Sequence, residues 1–228
     1  MRAAIRTRRL AAPAGAPENW PWAVRVRALG GFEIRDDAGC LQGRSTEGRK
    51  AASKPLELLR YLACRGTVEP ASMESVSREL WPGDGRQGRQ KALEVTIARL
   101  RRLLAHDAAL LVQDHAIRLN AECVWVDVQA LNDRLAEHEL APAGGAAAAL
   151  ALEAALVLSS GACLAASGQP WALAAAGRWR ARLAAALLRE AREPSVSAGR
   201  ARKWTLRALS ADPDIASHLD SPGQARLR

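Results

Sequence analysis

The chain has 228 residues, enough for one large domain or two small ones, and its 33 lysines and arginines against 24 acids leave a net charge of +9. That balance suits a polyanionic partner, but the arginine and alanine bias of the whole chain reads first as the mark of a GC-rich genome, so only charge gathered on one face counts as evidence. No run approaches the roughly 18 apolar residues of a membrane span, and Cys40, Cys64, Cys123 and Cys163 form no Cys-x-x-Cys pair and have no histidine at ligand spacing, which argues against a metal site and for buried thiols in a reducing cytosol.

Residues 1–22 read as a disordered basic tail. Arg2, Arg6, Arg8 and Arg9 precede any acid, and although the composition imitates a transit peptide, the continuous apolar core of a secretory signal is missing. A folded domain is expected over 23–122. Val24 to Leu29 and Phe32 to Arg35 alternate apolar and polar residues around Gly30-Gly31, and Asp36 to Gly39 is a turn, which predicts a small antiparallel sheet. Ser53-Lys54-Pro55 opens a helix whose packing face is Leu56, Leu58, Leu59 and Leu62 and which stops at Gly66. A second helix is predicted from about Ala71 to Trp81, with Met73, Val76 and Leu80 as its stripe and Pro82-Gly83 as its end.

After a Gly-rich loop comes Arg86 to Leu104, with six basic residues and one acid. Leu93, Ile97, Leu100 and Leu104 recur at helical spacing and line one buried stripe. At about 100° per residue the opposite face carries Lys91, Val95, Ala98, Arg99 and Arg102, with Thr96 on its margin. An apolar floor under a basic roof with small contact residues suits entry into a DNA major groove; an arginine-decorated solvated face is the competing reading. Arg101 lies on the flank, where a salt bridge within the domain competes with a DNA role. Leu110 to Val112 and Ile117 to Leu119 then flank Gln-Asp-His-Ala as a short hairpin of open turn type, since no glycine occupies it. Sheet, two helices, basic helix and hairpin, in that order, make a winged helix-turn-helix of α+β class.

Beyond it, residues 123–218 are predicted to form an all-α domain of stacked helical hairpins. Asp127 caps a helix to about Glu139, Pro142 to Gly145 breaks it, an Ala-rich helix spans Ala146 to Leu158, Trp171 to Arg192 is long, and Ala198 to Ser210 ends at Asp212-Pro213. Residues 219–228 read as a tail. Trp81, Phe32, Trp171, Trp179 and Trp204 are assigned to packing ahead of function.

Several motifs then coincide. Leu29-Gly-Gly-Phe-Glu-Ile34, Gly48-Arg-Lys50, Pro55-Leu-Glu-Leu-Leu59, Glu79-Leu-Trp-Pro82 and Ala92-Leu-Glu-Val-Thr-Ile-Ala-Arg-Leu-Arg-Arg-Leu-Leu104 together resemble the OmpR/PhoB-type winged helix of the SARP and MalT-like bacterial transcription regulators. Trp125-Val-Asp127, Leu156 to Leu164, Pro170-Trp-Ala172 and Trp204 to Leu209 with Asp212-Pro213 resemble the bacterial transcriptional activation domain (BTAD) that follows it, with tetratricopeptide-like (TPR-like) repeats, here shortened to roughly the first. The resemblance covers about residues 24–218 and is densest over 24–127. It implies a sequence-specific DNA-binding regulator in the bacterial cytoplasm, associated with the nucleoid. Its helical half would serve self-association as a homodimer or contact with RNA polymerase. Residues matching Lys91, Val95, Thr96 and Arg99 face the groove in that family. Arg99 suits a bidentate contact with guanine and Val95 a thymine methyl, while Lys91 and Arg102 suit phosphates. His115 and Arg118 belong to the wing, beside the minor groove, with Gln113 and Ala116 standing where the family's wing carries Arg and Gly.

Gly43 to Lys50 has the glycine spacing of a phosphate-binding loop, but Arg49 occupies the lysine position and no Ser or Thr follows a lysine, so a nucleotide site is rejected. No Ser/His/Asp, Cys/His or paired-carboxylate arrangement has supporting context, so neither an enzyme nor a cofactor is expected. The alternative from another class is a helical protein-interaction scaffold whose winged helix no longer reads DNA.

Overall fold

The structure, a computed structural model, describes residues 11–13, 15–36, 41–42, 53–159 and 168–218. The arginines of the N-terminal tail, most of the turn after Asp36, the loop from Gly43 to Lys50, Cys40, Cys163 and the tail from 219 lie outside the described residues. The chain is mixed α+β. Its strands are β1 (Val24–Arg27), β2 (Glu33–Asp36), β3 (Leu41–Gln42), β4 (Ala71–Ser72), β5 (Leu110–Gln113), β6 (Ala116–Leu119) and β7 (Val124–Val126). Its described α-helices are α1 (Ser53–Ala63), α2 (Met73–Leu80), α3 (Arg86–Leu104), α4 (Asp127–Leu140), α5 (Ala146–Leu158), α6 (Pro170–Ala191) and α7 (Ala198–Ala211). No described helix is long and apolar enough to cross a membrane.

Among the described residues two sheets form, in the orders β3-β2-β1-β7 and β4-β6-β5. The predicted antiparallel pair is present, with Val26 opposite Ile34. The sheet also gains a parallel member, because β7 sets Val124 beside Val24 and Val126 beside Val26. Val124, Trp125 and Val126 are all buried, a run that offers no alternation to read. A second difference concerns Ala71. It opens no helix: it pairs with Ile117 across β4 and β6, and Ser72 then caps α2 by accepting the Ser75 amide at 3.4 Å.

The described residues divide into two compact units, one running to Ala130 and taking back residues up to Ala172, the other starting at Leu131 and resuming at Leu173. The first therefore continues past residue 122, since β7 belongs to its sheet. Its core joins Leu56, Leu59 and Leu62 of α1, Val76 and Leu80 of α2, the α3 stripe, and Leu110, Ile117 and Leu119 of the hairpin. Asp127, only 3% exposed, ties this unit together. Its carboxylate accepts from the Ala28 amide at 2.8 Å, the Leu29 amide at 2.7 Å and its neighbour Val128 at 2.8 Å. Burial pushes this carboxyl up to about 6, against the pull of the N–H groups of Leu29, Ala28 and Val128. The residue expected as a helix cap thus also closes the end of β1.

The second unit packs Leu135 of α4, Ala151 and Leu152 of α5, Trp179, Leu183 and Leu187 of α6, and Ala201, Trp204 and Ala208 of α7. Trp179 and Trp204 are core, as expected, whereas Trp171, in the first unit, is half-buried and edge-on to Tyr61. At the end of α4, Arg189 donates to the carbonyls of His138 and Ala141. The fully buried His138 places Nε2 3.0 Å from Glu190 Oε1, and Glu190 Oε2 accepts the Gly144 amide at 3.0 Å. Burial holds the His138 pKa below its usual value. Gly144 has φ +71°, and a Cβ there would lie 2.6 Å from Ser195 Oγ, so any other residue would be strained and would displace that hydroxyl.

Candidate nucleic-acid interface

The packing of α3 decides which of its side chains reach solvent. Leu93, Ile97, Leu100 and Leu104 are all buried, as their spacing predicts. Contacts with α1 and α2 occupy that side and turn Lys91, Val95, Ala98, Arg99 and Arg102 outward. Val95 is 43% exposed, an aliphatic side chain in the middle of a cationic face. Lys91 and Arg99 have no ion pair among the described residues, and the Arg102 guanidinium reaches only the Ala98 carbonyl of its own helix, at 3.4 Å. Glu94, the single acid of α3, takes a hydrogen bond from Gln90 at 3.2 Å and forms no ion pair with these cations among the described residues. Arg101 and Arg102 lie in the last turn, where cations suit the negative end of the helix dipole.

Thr96 lies inward of this face. It is 4% exposed, and its hydroxyl donates to the Ala92 carbonyl at 2.7 Å. It still borders a shallow groove of about 380 Å³ that Lys91, Val95 and Arg99 line with it. Lys54 and Trp81 complete the lining. The Lys54 ammonium donates to the Leu80 carbonyl at 2.6 Å, pairs with Glu57 at 2.9 Å and lies 5.4 Å from the centre of the Trp81 ring. Trp81, assigned by sequence to the core, is half-buried at the end of α2 and forms a wall of the groove. Neither Lys54 nor Trp81 was among the candidates read from sequence. Their only signals are the Ser-Lys-Pro opening of α1 and the Trp-Pro close of α2, and both serve equally well as helix punctuation.

The hairpin turn is now defined. Asp114 (φ 49°) and His115 (φ 58°) are both left-handed, the mark of a type I′ turn, with Gln113 opposite Ala116. Asp and His tolerate that region better than most side chains. His115 is exposed at the tip and its carbonyl accepts from Met73. Arg118 is half-buried and donates to the Thr67 carbonyl at 3.2 Å, which ties it to the body of the unit. Arg101, too, finds a backbone carbonyl, that of Leu110 at 3.5 Å, and no acid among the described residues. The structure therefore gathers Lys91, Val95, Thr96 and Arg99 around one groove and continues the face with Arg102. His115 and Arg118 stand on the hairpin and do not line that groove.

No protein-family model matches the chain. None of the curated proteins matches it either. Among solved structures, Mycobacterium tuberculosis EmbR in complex with a low-affinity phosphopeptide is similar, with a TM-score of 0.44 and 15% identity over 87% of this chain and 57% of that one. The chain thus spans 57% of the length of that EmbR chain. At this level the likeness assigns neither a family nor an activity.

Proposed function

We propose that the chain is a sequence-specific transcription regulator that binds double-stranded DNA through a winged helix-turn-helix, with α3 in the major groove. One observation carries this reading: the outer face of α3 holds Lys91, Arg99 and Arg102, without acid partners among the described residues, around the exposed Val95. Unpaired cations on a helix face neutralise phosphates at no cost in broken salt bridges. Arg99 then suits guanine, Val95 a thymine methyl, and Lys91 and Arg102 the backbone. Thr96, buried and with its hydroxyl engaged by the Ala92 carbonyl, is less suited to reading bases than Arg99 or Val95. Regulation by equilibrium binding needs no chemistry at the site. One such module reads a short half-site, so useful specificity calls for a dimer or tandem sites. The helical half supplies self-association or contact with RNA polymerase, in the bacterial cytoplasm at the nucleoid.

The competing reading, a helical interaction scaffold, draws on Leu140, Leu150 and Val157, which are 88%, 72% and 73% exposed in the second unit, and on the tying down of Arg118. One experiment separates them. Sheared genomic DNA is selected on the purified protein and on its Lys91→Ala/Arg99→Ala/Arg102→Ala variant, and the recovered DNA is sequenced. A motif enriched by the first and lost with the variant supports the regulator. Uniform, salt-sensitive recovery would leave a DNA binder that does not read sequence. No recovery by the folded protein sinks the DNA reading and favours the scaffold.

A further inference from the structure

The helix α7 carries Arg200, Arg202, Lys203 and Arg207 and no acid. Ala201, Trp204 and Ala208 bury its inner side. Arg202 and Lys203 are exposed and Arg207 partly so, and none of the three has an ion pair among the described residues. Arg200 differs, because it lies over the Trp204 ring at 4.9 Å and reaches Glu153 at 3.9 Å. Amid the three free cations stands Leu206, 59% exposed. This repeats the chemistry of the α3 face, where Val95 is exposed among Lys91, Arg99 and Arg102. The fourteen residues of α7 rise about 21 Å, so its three free cations average one per about 7 Å of axis, against one phosphate per about 3.4 Å of a DNA strand.

We infer that the outer face of α7 is a second DNA-contacting surface, which binds backbone phosphates through Arg202, Lys203 and Arg207 without reading sequence. The inference rests on the DNA-binding reading above and adds to it a contact made by the helical unit. Charge complementarity selects the occupant: three unpaired cations with no acid on their helix attract a dense polyanion, and Leu206 can lie against sugar. An acidic protein surface is the other polyanion of comparable chemistry, and the test separates it.

The test uses the full chain and a 40-base-pair duplex of random sequence, with affinity measured across a range of salt concentrations. The probes are wild type, the α3 variant above, and Arg202→Gln/Lys203→Gln/Arg207→Gln, each checked by circular dichroism. Each phosphate contact contributes about 0.9 to the slope of log affinity against log salt. The α7 variant should therefore lose about 2 to 3 from the slope and keep residual binding through α3. A companion variant that keeps the charge, Arg202→Lys/Arg207→Lys, should retain the wild-type slope. An α7 variant with the wild-type slope, beside an α3 variant that loses binding, overturns the inference and leaves the α3 reading intact. Absence of DNA binding by wild type overturns both. Binding of poly-L-glutamate that is lost in the α7 variant while its DNA slope stays unchanged assigns the face to an acidic protein, and also overturns the inference.

Discussion

Replacing Asp127 tests the best-defined polar contact of the fold. Asp127→Ala leaves the amides of Ala28, Leu29 and Val128 without their acceptor, in residues that are 1%, 9% and 2% exposed. An orphaned buried donor costs about 1–3 kcal/mol, so the three together cost about 3–6 kcal/mol once some relaxation and water entry are allowed. Against a typical total of about 5–15 kcal/mol, that removes much of the stability of the unit. Urea unfolding followed by tryptophan fluorescence measures the loss. The near-isosteric Asp127→Asn adds a pH signature. Burial raises the folded carboxyl to about 6 from an ordinary value of 3.8. Between these values the folded chain holds a proton that the unfolded chain has released. The contribution is therefore complete below about pH 4 and falls as pH rises through 6, by about 3 kcal/mol at most. The stability gap between wild type and Asp127→Asn should widen from pH 7 to pH 4.5. A gap that narrows on acidification would mean that the three N–H donors outweigh burial, and a loss under about 1 kcal/mol in Asp127→Ala would remove the residue's role in closing β1.

Three further outcomes are expected. His115→Gly relieves a left-handed residue in the type I′ turn and should raise stability by about 1 kcal/mol, seen as a higher Tm; a lower Tm would contradict the turn type. His138 lies among Glu190, Arg189 and Glu139, and burial holds its pKa down. Its contribution is present above the ordinary histidine value of about 6.5 and lost as pH falls below it, because only the unfolded chain then takes the proton. His138→Gln should accordingly lose less stability than wild type between pH 7.5 and pH 5.5, and equal losses would discard this account. Arg118→Ala should cost about 1 kcal/mol of stability through the lost Thr67 contact and change the DNA affinity of the folded protein less than twofold; a tenfold drop in affinity would return Arg118 to the interface.

What could be read from sequence follows the length of the periodic signal. The α3 stripe spans three turns, so both its buried side and the outward Lys91, Val95, Arg99 and Arg102 are fixed by helical spacing alone. Thr96 sits at the edge of that arc, where period leaves exposure undecided; packing and the bond to Ala92 turn it inward. The strands β4 and β7 have two and three residues, too few to alternate, and β7 finds its partner about a hundred positions away, at Val24 to Val26. Lys54 and Trp81 reach the groove only because α1, α2 and α3 pack together, and no local pattern encodes that meeting. Arg118 alternates with Ile117 and Leu119 as an outward strand residue should, and only its reach to the Thr67 carbonyl decides its role.

The start of α3 has a consequence for motion. Its N-cap is Gly85 with no side-chain hydrogen bond, its first turn holds no acid, and Gly88 follows within that turn. No side chain of the cap or the first turn satisfies the free amides, and the acid beside them, Asp84, precedes the cap. From Leu93 onward, by contrast, every inward residue is core. Amide exchange along this one helix should therefore run as a gradient, fast over Arg86 to Arg89 and slowing toward the global unfolding limit past Leu93. The basic face is then rigid where Val95, Arg99 and Arg102 stand and loose at the end nearest Lys91. A lysine that tolerates phosphates at several distances thus occupies the pliable end, and the arginine suited to one geometry occupies the stiff one.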